Sequence, residues 1–140
     1  MKTIAHGTVV AIGGKAVLIV GASGAGKSDL ALRLIDRGAV LVADDYVELD
    51  VVGGEVRCAP PPSIAGRIEV RGVGIAEMPF VESVPLALVV DLGARTDRLP
   101  HSHVRQIEGV DVRDIAIDGF EASAPIRVEL ALSGRLVPLD

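Results

Sequence analysis

A chain of 140 residues, 49% of them hydrophobic, is the length of one domain and holds enough apolar side chain to bury a core. A net charge of −5 and a pI near 5.1, with Tyr46, Phe80 and Phe120 as the only phenyl rings and no tryptophan, argue against broad binding of nucleic-acid backbones and against base-stacking platforms for single strands. The lone cysteine, Cys58, excludes an intramolecular disulfide and a cysteine-rich zinc site, no apolar run reaches the roughly 18 residues of a membrane span, and the N-terminus lacks a leader pattern. The chain is therefore expected to be a soluble, unprocessed protein of a reducing cytoplasm.

In chain order, "HGTVVAIGGKAVLIVG" predicts two strands joined at Gly13-Gly14, the second continuously apolar and so buried on both faces. From 27 to 37, Leu30, Ala31, Leu34 and Ile35 mark one stripe of a helix that Gly38 stops. Residues 40–43 read as a buried strand ending at Asp44-Asp45, and a hairpin is expected about Gly53-Gly54. Pro60 to Pro62 break the chain, two short strands flank Gly72 and Gly74, and "PLALVVDL" is another buried strand. "GARTDRLPHSH" is expected to be a loop and 112–117 a strand. The stretch "PIRVELALS" suits a short helix from Pro125 to Gly134, although its alternation also fits a strand.

The stretch "GASGAGKS" fits G-x-x-x-x-G-K-[ST] at Gly21, Gly26, Lys27 and Ser28. At this chain's own residue frequencies, about three such chains in a thousand would match by chance. A buried strand before the loop and an amphipathic helix after it direct backbone N–H groups and the positive end of the helix dipole at an anion. Glycines allow the backbone close to phosphate oxygens, Lys27 reaches the β/γ oxygens, and the Ser28 hydroxyl can ligate Mg2+. The plainer alternative is a glycine turn with an exposed lysine and a serine at the helix start.

Phosphoryl transfer to a hydroxyl also needs a carboxylate to take the proton. Asp44 and Asp45 end a strand beside this unit, where a metal-holding or base-acting acid is expected, but two adjacent acids equally suit a solvated turn. Glu69 fits a solvent-facing strand position, and Asp97-Arg98 fits a loop ion pair. His6, His101 and His103 are surface or core residues on this reading, since "HSH" lacks a third metal ligand.

Taken together, "HG" at His6-Gly7, "GASGAGKSDLALRLIDRG", "LVADD" at 41–45, "IEVRGVGI" at 68–75 and "TDRL" at 96–99 resemble, in order and spacing over about residues 4–131, the catalytic domain of HPr kinase/phosphorylase. The "E-[IV]-R-G-[VL]-G" stretch is a signature of that family. The resemblance implies an α/β fold of the P-loop kinase type, a mixed β-rich sheet with few helices and a core like that of phosphoenolpyruvate carboxykinase, as one catalytic domain over 1–140. It implies an ATP- and Mg2+-dependent protein-serine kinase acting on HPr, the phosphocarrier of the sugar phosphotransferase system, or on its nitrogen-branch counterpart. Many members also run the reverse phosphorolysis.

Carried over by position, Gly21, Ala22, Ser23, Gly24, Ala25, Gly26, Lys27 and Ser28 bind the nucleotide phosphates, and Ser28 and Glu69 hold Mg2+. Asp44 is then the base that deprotonates the acceptor serine, with Asp45 beside it, and His6 and Arg98 match active-site positions, Arg98 as a cation for phosphoryl charge. A homo-oligomer, hexameric in the family, is implied as well. The chain departs from the family where an "R-P-G-R" loop is common, having "IDGFEASAP" at 117–125; it has Asp29 in place of Glu and Pro100 in place of Gly, and it is expected to be the short form of the family, without the usual preceding domain and longer C-terminus. Two other readings stand beside the kinase: a nucleotide-responsive regulatory module, and a kinase for a small-molecule hydroxyl.

Overall fold

The computed structural model describes residues 2–94 and 96–139; Arg95, within the predicted loop, and the terminal Met1 and Asp140 lie outside the described residues. Eleven strands and two α-helices form the chain in the order β1 (Lys2–His6), β2 (Thr8–Ile12), β3 (Lys15–Val20), α1 (Lys27–Asp36), β4 (Val40–Ala43), β5 (Tyr46–Val52), β6 (Glu55–Ala59), β7 (Arg67–Val70), β8 (Gly74–Glu77), β9 (Val84–Asp91), β10 (His103–Ile107), β11 (Val110–Ala116) and α2 (Ala124–Leu132). A 3-10 turn at Pro62–Ile64 follows the proline break.

Nine strands make one mixed sheet in the order β1-β5-β6-β9-β3-β2-β4, with β11 alongside β9 and β10 beyond it; β7 and β8 form a separate hairpin. The β2–β3 turn closes on Gly13 and Gly14 at φ 57° and 80°, the left-handed pair that a two-residue hairpin turn requires. β9 runs parallel to both β3 and β11, and β2 is antiparallel to both β3 and β4. Hence β3, β4, β9 and β11 all finish on one edge of the sheet, where ligands of open α/β sheets collect.

The apolar runs have partners on both faces. Val17 and Ile19 of β3, with Leu88 and Val90 of β9, face Leu30, Ala31 and Leu34 of α1 and Ala124, Val128 and Ala131 of α2. The alternate residues, Ala16 and Leu18 with Val89, face Val47, Leu49, Val56 and Cys58 of the β5–β6 arm. Burial without a charged neighbour pushes the Cys58 thiol up to about 12. Among the described residues no helix is long and apolar enough to cross a membrane.

Two strands lie outside the sequence expectations. β1 alternates exposed and half-buried residues along an edge and gains order only by pairing with β5. β10, "HVRQI", is polar enough to read as loop, yet it pairs with β11 across a Glu108-Gly109 turn in which both residues have positive φ. The ambiguous segment before Gly134 is the helix α2, whose Ala124, Val128 and Ala131 recur at helical spacing on its buried side.

Candidate functional site

Residues 21–26 leave β3 and enter α1 through Gly26, which caps the helix at φ 93° and ψ 24°, a left-handed conformation suited to glycine. A Cβ there would sit 2.9 Å from Cε1 of Phe120, so the position is restricted twice over. Lys27 is buried, and its Nζ donates to the carbonyls of Gly21 at 2.8 Å and Ala22 at 3.1 Å, holding the ammonium across the loop.

The two acids after β4 part company. Asp44 is 7% exposed and is the focus of three donors: Thr8 Oγ1 at 2.9 Å and Ser28 Oγ at 2.7 Å to Oδ1, and the Glu69 backbone N–H at 2.9 Å to Oδ2. It ties β2, α1 and β7 together; Asp44, expected to meet an acceptor hydroxyl, is nearly buried here with its carboxylate taken up by these three donors. Asp45 is the acid of the pair that lines the cleft. Its φ of 70° is uncommon for a residue other than glycine, and it is held there by Gly7 N–H donating to its carbonyl and by the Tyr46 N–H donating to the Asp44 carbonyl. Its Oδ1 lies 3.0 Å from His6 Nε2, and the His6 ring in turn lies 5.4 Å from that of Tyr46.

Gly7 makes this approach possible. A Cβ on it would meet Leu18 Cδ1 at 2.7 Å and the Ile19 carbonyl at 3.0 Å, which explains the "HG" pair physically.

These parts open into one cleft of about 650 Å³, lined by His6, Asp45, Glu69 and Arg71, by Gly24, Lys27 and Ser28 of the loop and helix start, and by Phe120. The Ser28 hydroxyl and the Glu69 carboxylate are hard oxygen donors, and Mg2+ takes one or two such groups while water and phosphate supply the rest, so the residues present fit that ion. Among the described residues no group of three or more His, Cys, Asp or Glu side chains gathers as an all-protein metal cage. Arg98 lies on the exposed segment after β9 and does not line the cleft, and Asp29 pairs with Arg33 at its rim.

Thr8 and Phe120 were not singled out by the site reading. Thr8 had a signal, a hydroxyl opening an otherwise apolar strand, and it is fully buried on Asp44. Phe120 had only its rarity, and its place over Gly26 depends on contacts 94 residues apart in the chain.

The model of the family described as the HPr Serine kinase C-terminal domain matches residues 1–121. Over 98% of its length the chain is 36% identical to the HPr kinase/phosphorylase of Bordetella petrii, covering 49% of that protein. Over 80% of its length it is 37% identical to the HPr kinase/phosphorylase of Caldicellulosiruptor bescii, covering 40%. The chain therefore spans less than half the length of these curated relatives. It is also similar to the solved structure of the Hpr(Ser) kinase/phosphatase from Coxiella burnetii, with a TM-score of 0.80 and 26% identity, covering 91% of this chain and 87% of that one. The sheet-rich mixed α/β fold with two helices is thus close to a known HPr kinase structure.

Proposed function

Because the chain belongs to the family of HPr serine kinase C-terminal domains, we propose that it transfers the γ-phosphoryl group of ATP, with Mg2+, to a serine hydroxyl of HPr or of its nitrogen-branch counterpart. One observation carries the reading: the loop bearing Lys27 and Ser28 and the turn bearing Asp45 open into the same cleft, nucleotide side and acceptor side together.

In this reading the N–H groups of residues 21–26 and the start of α1 bind the β- and γ-phosphates, and Lys27 adds a point charge to them. Ser28 and Glu69 would hold Mg2+, which would supply charge neutralisation to the transferring phosphoryl group. Asp44 fixes the Ser28 hydroxyl and the Glu69 backbone by its three hydrogen bonds and so positions both ligands. Asp45 accepts the proton of the acceptor serine at its carboxylate, aimed by His6 and by a backbone conformation that the surrounding contacts enforce. Asp44 thus passes the base role to its neighbour. The exposed Arg98 would add a cation for phosphoryl charge once a bound acceptor protein brings its segment inward.

Incubation of the protein with [γ-32P]ATP, Mg2+ and purified HPr-like carriers should yield phosphoserine on one of them. ATP binding with no transfer to any carrier would end the kinase reading and leave a regulatory nucleotide module in its place. Glu69→Gln should raise the Mg2+ requirement, and an unchanged metal dependence would remove Glu69 from the ligand set.

A further inference from the structure

The segment at 117–123 carries no lysine or arginine and presents a phenyl ring. Its backbone is fastened along its length. Ile117 N–H donates to the Asp91 carbonyl at 3.2 Å, Phe120 N–H donates to Asp118 Oδ1 at 2.9 Å, and Arg33 of α1 donates to the carbonyls of Gly119 and Glu121. Gly119 presses on Leu92, where a Cβ would lie 2.9 Å from Cδ1. None of these bonds uses the Phe120 side chain, which remains 64% exposed.

The ring rests by one edge on Gly26, next to the lysine of the phosphate loop, and lines the cleft. Of the chain's phenyl rings, Tyr46 leans on His6 and Phe80 lies against Gly66, and only Phe120 lines the cleft. It lies four residues beyond β11, which the sheet order sets across β9, β3 and β2 from β4 and its Asp45 turn, the side left to the unreactive part of a nucleotide whose γ-phosphate meets Asp45. A fixed, exposed aromatic face offers stacking that every base can use.

We propose that the Phe120 ring is the stacking wall of a nucleobase subsite, seated on Gly26 and held ready by the Arg33 clamp. The proposal rests on the reading of residues 21–28 as a phosphate loop, so the test separates base from phosphate. Affinities for MgATP and for Mg-tripolyphosphate, which has no base, are measured by calorimetry on the full chain and on Phe120→Ala, Phe120→Leu and Phe120→Tyr. Phe120→Ala should bind ATP about fivefold to a hundredfold more weakly and tripolyphosphate as before, with Phe120→Tyr restoring ATP and Phe120→Leu falling between. An unchanged ATP affinity in Phe120→Ala overturns the stack, and a raised KM for the carrier in that variant then assigns the ring to the acceptor protein. Equal losses for ATP and tripolyphosphate also overturn it, because the ring would then only shape the loop through Gly26. If the unaltered chain binds neither ligand, the phosphate-loop reading itself fails.

Discussion

The two flanks of the cleft solve opposite problems. Toward β4, the paired acids are committed to partners: Asp44 to three donors, Thr8 among them, and Asp45 to His6. Toward β11 the backbone is committed and the side chain is free, with Phe120 exposed above a loop whose carbonyls Arg33 holds. On the proposed mechanism, the flank that must aim a carboxylate holds it through side-chain hydrogen bonds, and the flank proposed to meet a base holds its backbone and leaves the apolar face open.

The sharpest way to break this contrast lies within the acid pair. On the proposed mechanism, Asp45→Asn should lower transfer about 10²- to 10⁴-fold while leaving ATP affinity in place, because it removes a proton acceptor and no phosphate contact. Retained turnover, read by carrier phosphorylation, would return the base role to Asp44 or move it elsewhere.

Asp44→Asn should behave as a structural change first. An amide replaces a carboxylate on which three donors converge, so a destabilisation of about 1–3 kcal/mol in urea is expected, with a raised Mg2+ requirement. A variant as stable as the parent, with normal metal dependence, would deny Asp44 its role as the hub of these bonds.

On the other flank, Arg33→Met keeps the aliphatic stem and removes the clamp. A loss of about 0.5–1.5 kcal/mol and faster amide exchange at 119–121 are expected. Unchanged exchange there would mean that the loop holds itself.

The smallest effect concerns the anchor beneath that loop. Burial pushes the Asp91 carboxyl up, but the Arg105 hydrogen bond at 2.5 Å, the Arg105 charge and the N–H groups of Gly93 and Ala94 pull it down further, leaving it below the usual carboxylate range. A lowered folded pKa means that the stabilisation is complete above the unfolded value of about 3.9 and disappears as pH falls through the folded one. Thermal melts should therefore drop more steeply below about pH 4 for the parent than for Asp91→Asn. Parallel curves would show that Asp91 adds nothing through its charge.

Much of this organisation was legible because it is local. The glycine pairs set the hairpins, the stripe through Leu30 and Leu34 set α1, and unbroken apolar runs marked β3 and β9 as strands covered on both faces. β1 and β10 were illegible for the converse reason, since edge strands with polar side chains are ordered by partners distant in sequence. The site divided in the same way. Residues 21–28 carry their geometry in their own spacing, but which of two adjacent aspartates faces the cleft depends on a single left-handed residue, and the chain's spelling gives no sign of it. Phe120 reaches Gly26 only through contacts between segments 94 residues apart in the chain.

The burial of β3 and β9 on both faces bears on how the cleft endures. Val17, Leu18, Ile19, Leu88, Val89 and Val90 are almost wholly shut off from solvent, and their parallel ladder forms the centre of the sheet. Amides in such a ladder exchange with water only when the whole molecule opens, whereas edge strands and surface loops exchange through small local openings. The phosphate loop hangs directly from the last residue of that ladder. The buried ladder it hangs from is among the last places to let water in, so the rims of the cleft can open locally while its floor keeps register.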